Sequence, residues 1–434
     1  MILTRACRSA VVDNVYIGGI GKNRTKSGMS RPIQEPPGED IAEDVLIARK
    51  IQTVMMPRIL PSFEGLELGV ATLSGSVPGS DLLDIIRISE DVVAFLMFEV
   101  AGAGIRSLLI SAMAKICFTN HVRQGVSPLA VIERVHEELV REIESDLHLS
   151  AFLGYLDLHD NILTYTNTGS ITPQVYRRTT RSIEMLPGCT KTIGYPATGS
   201  GGFDEERIYL SQGDCLVVFT DGLYGITGAV PGAVVKDAAT GFIIKAMENA
   251  GGAQLIDRIR ECAAERKTFK NDISVVYAEI LTQSRMNQTK VKLGFTTDDV
   301  VYMQFLNYLE EMDKVTATIL TAMDVAGYPD ERIRKMKIVL TELLVNAIVH
   351  GNNRDYSRKV VVGHIIDRKK TIISIMDEGA GFDPNDVPDP TLPENLEKPC
   401  GRGLFIVRHY VDSIVFNEAG NRVTISTSGE TVTE

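Results

Sequence analysis

The chain is 434 residues long, with 44% hydrophobic and 23% charged residues and a formal net charge of −11 at pH 7. That length suffices for two or three domains with cores of their own. The acidic balance supplies no basic footprint and argues against nucleic acid as a partner. No uninterrupted apolar run is long enough to span a bilayer, since Val92 to Ile105 is broken by Glu99 and glycines, and no membrane association is expected. Arg5 and Arg8 are followed by Asp13 and Asn14, which is unlike a signal peptide. Six cysteines are dispersed with no CxxC pair and no metal-ligand spacing, as expected of reduced thiols. A soluble cytoplasmic protein is expected.

In chain order, residues 1–40 mix Gly18-Gly19, the run Lys22 to Ser30, and Pro32, Pro36 and Pro37. Such a composition needs no core and predicts a flexible tail. Within 41–60, the residues Ile41, Val45, Ile47, Ala48, Ile51, Val54 and Met55 recur at helical spacing and stop at Pro57 and Pro61. They predict a linker helix with one apolar face. That face can pack on the following domain or on its copy in a dimer, and the sequence leaves both open.

Residues 61–285 alternate short β-branched runs with turns: Leu66–Leu73, Val92–Val100, Ala151–Leu158, Ile162–Asn167, Cys215–Thr220 and Ile273–Ile280. Helical patterns at Ile105–His121 and Pro128–Ile143 lie between them. Strands with two central helices predict an α+β layered sandwich. Acidic residues sit at the ends of the runs, in Gly79-Ser80-Asp81-Leu82-Leu83-Asp84, Phe98-Glu99-Val100-Ala101-Gly102, Phe219-Thr220-Asp221-Gly222 and Lys270-Asn271-Asp272-Ile273-Ser274. Carboxylates held at strand ends can converge on hard cations such as Mg²⁺ or Mn²⁺. A pair of such ions lowers the pKa of bound water and clamps phosphate oxygens, which phosphoester hydrolysis needs.

The helix Ile47–Pro57 and the four acidic motifs, in this order, resemble the bacterial PPM serine/threonine phosphatases of the SpoIIE/RsbU type. The motifs of that family read roughly GGDxxD, GDVSGKG, TDG and DDIT. The resemblance covers about half of the chain and implies an αββα sandwich with a Mn²⁺ or Mg²⁺ centre. Asp81 and Asp221 match its metal-site aspartates. Glu99 stands where the family has a bridging aspartate, and Asn271 stands where it has the usual ligand, leaving Asp272 one place along. Glu99 reaches further by a methylene, and Asn271 offers only a neutral oxygen, so the site holds cations less strongly. Gly102-Ala103-Gly104 replaces the family's Gly-Lys-Gly, and Gly225 falls where an acid is common. An active phosphatase and a weakened regulatory pseudo-phosphatase both remain open.

In residues 286–434, the polar stretch Thr282 to Thr289 marks a linker, Val291–Phe295 reads as a strand and Val300–Met323 as a helix. Glu331–Val349 forms a long helix on which Glu342 and Asn346, four apart, share one face, with His350 one turn further on. Two strands follow, at Lys359–Asp367 and Thr371–Asp377. The second ends in Asp377-Glu378-Gly379-Ala380-Gly381, where a carboxylate can accept from an exocyclic amine beside close-approaching glycines. Gly401-Arg402-Gly403 opens a helix at Leu404–Val411 whose free N–H groups can receive phosphate oxygens. Asp386 to Pro399, rich in proline and acids, reads as a mobile lid.

In this order the set resembles the GHKL ATP-binding fold, and within it the anti-sigma-factor serine kinases of the RsbW/SpoIIAB type. These share Glu-x-x-x-Asn-Ala-x-x-His-Gly, here Glu342, Asn346, Ala347, His350 and Gly351. The resemblance implies a Bergerat α/β sandwich, a mixed sheet packed on helices, that binds ATP and Mg²⁺. It assigns the Mg²⁺ to Asn346 and the role of proton acceptor from an attacking serine to Glu342. Asp377 would read adenine with Gly379 and Gly381 shaping the pocket, and Gly401, Arg402 and Gly403 would wrap the phosphates. His350 is expected to cap or pack. A sensor histidine kinase would need a phosphoacceptor, and His136-Glu137-Glu138-Leu139 fits superficially, but inside a helix the phosphatase domain requires.

Together the two resemblances imply a homodimeric partner-switching regulator. It would phosphorylate and dephosphorylate a serine on a STAS-type anti-sigma-factor antagonist, with a sigma factor as a further partner. The alternative is an ATP-dependent binding module for sigma factor or antagonist, carrying a catalytically weak phosphatase domain.

Overall fold

A computed structural model describes residues 47–429, apart from 48–49, 53, 58–59, 62, 77–79, 103, 143–147, 195–201, 228–233, 267–268, 298, 308, 356–357 and 384–401. The expected tail at 1–40 and lid at 386–399 lie outside the described residues.

The first ten strands are β1 (Leu66–Leu73), β2 (Leu82–Arg87), β3 (Val92–Val100), β4 (Leu149–Asp157), β5 (Ile162–Thr168), β6 (Thr172–Arg177), β7 (Ser182–Met185), β8 (Glu206–Tyr209), β9 (Cys215–Phe219) and β10 (Ile273–Ile280). They form two five-stranded antiparallel sheets, ordered β1-β10-β9-β6-β7 and β2-β3-β4-β5-β8. Alternation of side chains lets each sheet bury both faces. Leu66, Leu68, Phe95, Phe152, Leu216 and Val276 fill the space between the sheets. The opposite face of the β3 sheet, with Ala94, Leu96 and Phe98, packs on helices α1 (Ile105–His121) and α2 (Pro128–Glu142). Val217, Phe219, Val275 and Tyr277 of the β10 sheet pack on α3 (Gly222–Ile226), α4 (Val234–Ala250) and α5 (Gly252–Glu265). The result is a four-layer αββα sandwich.

A helix follows, α6 (Gln283–Lys292). Thr282 caps it by accepting from the Arg285 N–H at 3.3 Å, and Gly294 ends it at φ 86°. The stretch expected to be a polar linker and then a strand at Val291–Phe295 is therefore a capped helix and a turn. The helix expected at Val300–Met323 also divides. Residues Val301–Leu306 form β11, and α7 (Leu309–Val325) begins after them. Pairing of β11 with β12 (Lys359–Ile366) along its whole length overrides the local helical pattern.

Strands β13 (Lys370–Asp377), β14 (Ser413–Phe416) and β15 (Arg422–Ser428) complete a third sheet, ordered β11-β12-β13-β15-β14. Its four pairings are all antiparallel, where a mixed sheet was expected: hairpins join β12 to β13 and β14 to β15, and the helical connections return β12 antiparallel to β11 and β15 antiparallel to β13. One face packs on α7, α8 (Asp330–Val345) and α9 (Arg402–Tyr410) through Ile319, Val339, Leu343, Val362, Ile373 and Val407. The other is covered by Leu293, Phe295 and Val300 from the segment after α6.

Candidate functional site

The acidic motifs meet at one end of the sandwich. Ser80, Asp81, Glu99, Asp221, Asn271 and Asp272 line a cavity of about 300 Å³, together with His148, Ser170 and Lys270. The turn after β9 brings Asp221 into place, and a side chain at Gly222 would collide with the Asp272 carbonyl. Burial, followed by the nearby carboxylates of Glu99, Asp272 and Asp221, pushes the Asp81 carboxyl well above its usual range against the hydrogen bond from Thr220. Its Oδ2 is buried without a hydrogen-bond partner. Glu99 is also raised, by burial and then by Asp221, although Ser170 donates a hydrogen bond to it.

Two residues depart from what a cation needs. Asn271 Nδ2 lies 3.3 and 3.5 Å from the two Asp221 oxygens, donating to the carboxylate rather than offering it a shared ion. Asp272 has both oxygens engaged: Oδ1 accepts from the Gly75 N–H at 2.8 Å and Oδ2 from Gln52 Nε2 at 2.7 Å. Gln52, 6% exposed, also donates to the Asp81 carbonyl at 3.2 Å. Among the described residues no three carboxylate, imidazole or thiolate groups converge closely enough to enclose a metal ion. The orphaned Asp81 oxygen fits a divalent cation; the amide of Asn271 and the committed Asp272 do not.

The second site lies where α8 meets the third sheet. From Asn346 to Gly351 the helix widens into a π-turn, and the Asn352 N–H reaches back five residues to the Ala347 carbonyl at 2.8 Å. Such a turn re-aims the side chains at its start. Glu342, Asn346, His350, Gly351, Asp377, Gly381 and Gly403 line one cavity of about 1000 Å³. Side chains at Gly351 or Gly379 would strike the Asp377 carboxylate or the Gly351 carbonyl, so close approach requires glycine at both. Gly403, in the first turn of α9, lies against the Glu342 carboxylate. Burial raises the Asp377 carboxyl against a hydrogen bond from the Gly379 N–H to Oδ1 at 2.8 Å.

Glu342, Asn346, Asp377, Gly381 and Gly403 thus share one cavity, with Gly379 against its wall. Gly401 and the Arg402 side chain lie outside the described residues. His350, expected to cap or pack, is exposed and lines the cavity. His136 accepts from the Gly194 N–H at 3.2 Å and packs edge-on to Phe203, as a residue of the sandwich. Sequence reasoning missed Gln52, His148 and Lys270 at the first site and Asn307 and Asn352 at the second. Only the register of Gln52 within the linker helix offered a signal.

An acidic pocket at the strand ends of an αββα sandwich and a larger cavity between a helical layer and a sheet are thus the two candidate sites of the chain. Residues 89–281 match the family model of stage II sporulation protein E (SpoIIE), and residues 306–427 match that of the histidine kinase-like ATPase domain. The chain carries an N-terminal SpoIIE-type phosphatase domain and a C-terminal RsbW-like ATPase domain. It is similar to phosphoserine phosphatase RsbU of Bacillus subtilis (strain 168), 19% identical over 187 residues, 43% of this chain and 54% of that protein. It is also similar to serine-protein kinase RsbW of Oceanobacillus iheyensis, 29% identical over 97 residues, 21% of this chain and 61% of that protein. Each match therefore spans less than two thirds of the relative. Among solved structures, the RsbU and RsbW domains of Rv1364c from Mycobacterium tuberculosis align at 16% identity and a TM-score of 0.45 over 87% of this chain and 96% of that one. Among the described residues no helix is long and apolar enough to cross a membrane.

Proposed function

We propose that this chain is a partner-switching regulator whose C-terminal domain binds ATP with Mg²⁺ and phosphorylates a serine on a STAS-type anti-sigma-factor antagonist. The observation that carries this reading is the gathering of Glu342, Asn346 and Asp377 around one cavity. In it, Asn346 would hold the Mg²⁺, which would neutralise phosphate charge, Asp377 would accept from the adenine amine and Glu342 would take the proton of the attacking serine. Gly379 and Gly381 shape the adenine end, and Gly401, Arg402 and Gly403 receive the phosphates. The relatives support the class, since curated proteins similar to this domain include a serine-protein kinase and anti-sigma F factors. A sigma factor is the second partner, and the working form is a homodimer in the cytoplasm.

The N-terminal domain would remove the phosphate with Mn²⁺ or Mg²⁺ bound by Asp81, Glu99 and Asp221, which would have to draw together around the ion, since among the described residues no three such groups are close enough to enclose one. The hydrogen bond from Asn271 to Asp221 favours a second reading, a phosphatase domain with weak cation affinity that acts mainly as a scaffold. Asp272, tied to Gln52 and Gly75, is an anchor for the linker helix in either case.

A time course with labelled ATP and the antagonist encoded nearby tests both. Phosphoserine that accumulates and is then lost on adding Mn²⁺ is the expected result for the bifunctional reading. Phosphoserine that accumulates and persists selects the second. Transfer of no phosphate at all overturns the kinase assignment.

A further inference from the structure

Two asparagines outside every motif sit at the junction of the nucleotide cavity, and both are 0% exposed. Full burial of an amide is costly unless its hydrogen bonds are made. Here they are. Asn352 Oδ1 accepts from the Glu378 N–H at 2.8 Å, and Nδ2 donates to the Lys359 carbonyl at 2.9 Å and to Asn307 Oδ1 at 3.2 Å. Asn307 Nδ2 donates to the Ile348 carbonyl at 3.0 Å, inside the π-turn, and its N–H donates to the Arg358 carbonyl at 3.0 Å.

These bonds join four pieces of chain: the residue after β11, the π-turn after α8, the first residue of β12 and the residue after β13. Two of the pieces carry the proposed ATP contacts. Asn346 opens the π-turn that Asn307 holds by its backbone, and Asp377 directly precedes the Glu378 N–H that Asn352 holds. The contact between them is too close for a side chain at Gly351 or Gly379. A small shift of the turn against β13 therefore changes where the Asp377 carboxylate faces a base relative to where Asn346 faces the phosphates. An apolar pair at 307 and 352 could fill the same volume, but it would not fix this register.

We propose that Asn352 and Asn307 are positioning residues for the nucleotide site, setting the Asp377 carboxylate against the Asn346 turn and so enforcing selection of adenine over guanine. The inference rests on the ATP-binding reading above. A correctly placed carboxylate accepts from the adenine amine and meets the guanine carbonyl oxygen with repulsion, so its placement is read directly as base preference.

The test is equilibrium titration of the full chain with ATP and with GTP. In Asn352→Ala the ATP-over-GTP affinity ratio should fall roughly tenfold, and in Asn307→Ala by a smaller factor. Ser374→Ala is the control, because Ser374 is also 0% exposed and bonded, to Thr424 at 3.0 Å, but lies in mid-sheet. It should lower the unfolding temperature and leave the ratio unchanged, which a merely structural role for the asparagines would also do. A wild-type ratio in folded Asn352→Ala overturns the proposal. If that variant does not fold, Asn307→Ala decides by the same criterion, and failure of both to fold assigns the pair to folding and overturns it too. A wild-type chain that binds neither nucleotide removes the ATP reading itself, a failure visible before any substitution is made.

Discussion

The two candidate sites are built from similar residue types and behave differently. In the C-terminal domain Glu342, Asn346 and Asp377 point to one cavity of about 1000 Å³, and the buried amides behind them bond to backbone. In the N-terminal domain the polar groups turn on one another: Asn271 on Asp221, Ser170 on Glu99, Gln52 on Asp272. Polar groups that face a cavity, with a bonded layer holding them, are arranged for a ligand. Polar groups that satisfy each other have already supplied part of what a cation would supply. Part of the difference lies at 271, where an aspartate would set a charged ligand beside Asp221 and the amide instead donates to it.

The largest effect should come from the better-formed site. Glu342→Gln keeps the shape and removes the proton acceptor. Serine phosphorylation of the antagonist should fall by about a hundredfold or more, with ATP affinity within about twofold of wild type. Single-turnover transfer from labelled ATP measures both. Undiminished transfer would end the contrast by taking the chemistry out of this cavity.

At the acidic pocket, Asn271→Asp replaces the donor amide with a fifth carboxylate beside Asp81, Glu99, Asp221 and Asp272. Mn²⁺ affinity, read by titration calorimetry, should tighten by roughly tenfold, and any phosphatase activity should rise with it. Asp272→Asn is the counterpart and should leave Mn²⁺ affinity within about twofold, because both Asp272 oxygens are engaged elsewhere. The reverse pattern would make Asp272 the ligand and reduce the contrast between the sites to a matter of side-chain rotation.

Residues in short ordered motifs were legible because neighbours in sequence share a turn: Asp221 with Gly222, Asp377 with Gly379, Glu342 with Asn346. The layered fold was legible from the alternating runs of β1, β3 and β10. What escaped depends on distant chain. Val301 to Leu306 has a helical-looking apolar pattern and becomes a strand only because β12 pairs with it. Asn307 and Asn352 are 45 residues apart and look like loop residues until packing joins them. Gln52 and Asp272 are 220 residues apart, so no local pattern could disclose their bond.

That bond gives a smaller prediction. Gln52→Ala removes the donor to Asp272 Oδ2 and to the Asp81 carbonyl, a loss of about 1 kcal/mol. Hydrogen exchange around residues 50–55 should speed up by roughly fivefold while the nucleotide cavity stays protected. Unchanged exchange would mean that the linker helix is held by its apolar contacts alone.

The smallest effect belongs to the joint between the domains. Lys359, at the start of β12, places Nζ 3.0 Å from Glu67 Oε1 on β1, and Arg285 of α6 reaches the other Glu67 oxygen at 3.0 Å. Burial pushes the Glu67 carboxyl up, but Lys359 and Arg285 outweigh it and hold the group below its ordinary value of 4.5. A carboxyl lowered on folding adds stability that is complete above the ordinary value and is lost as pH falls through the lowered one. The joint should therefore hold from neutral pH down to about 4.5 and weaken below it. In Glu67→Gln that acid-dependent component should vanish, leaving a flatter stability profile between neutral and acid pH and a lower plateau at neutral pH. Denaturant unfolding at a series of pH values measures the slope. An unchanged slope in Glu67→Gln would show that the pairing of Lys359 and Arg285 with Glu67 adds no acid-sensitive stability to the joint.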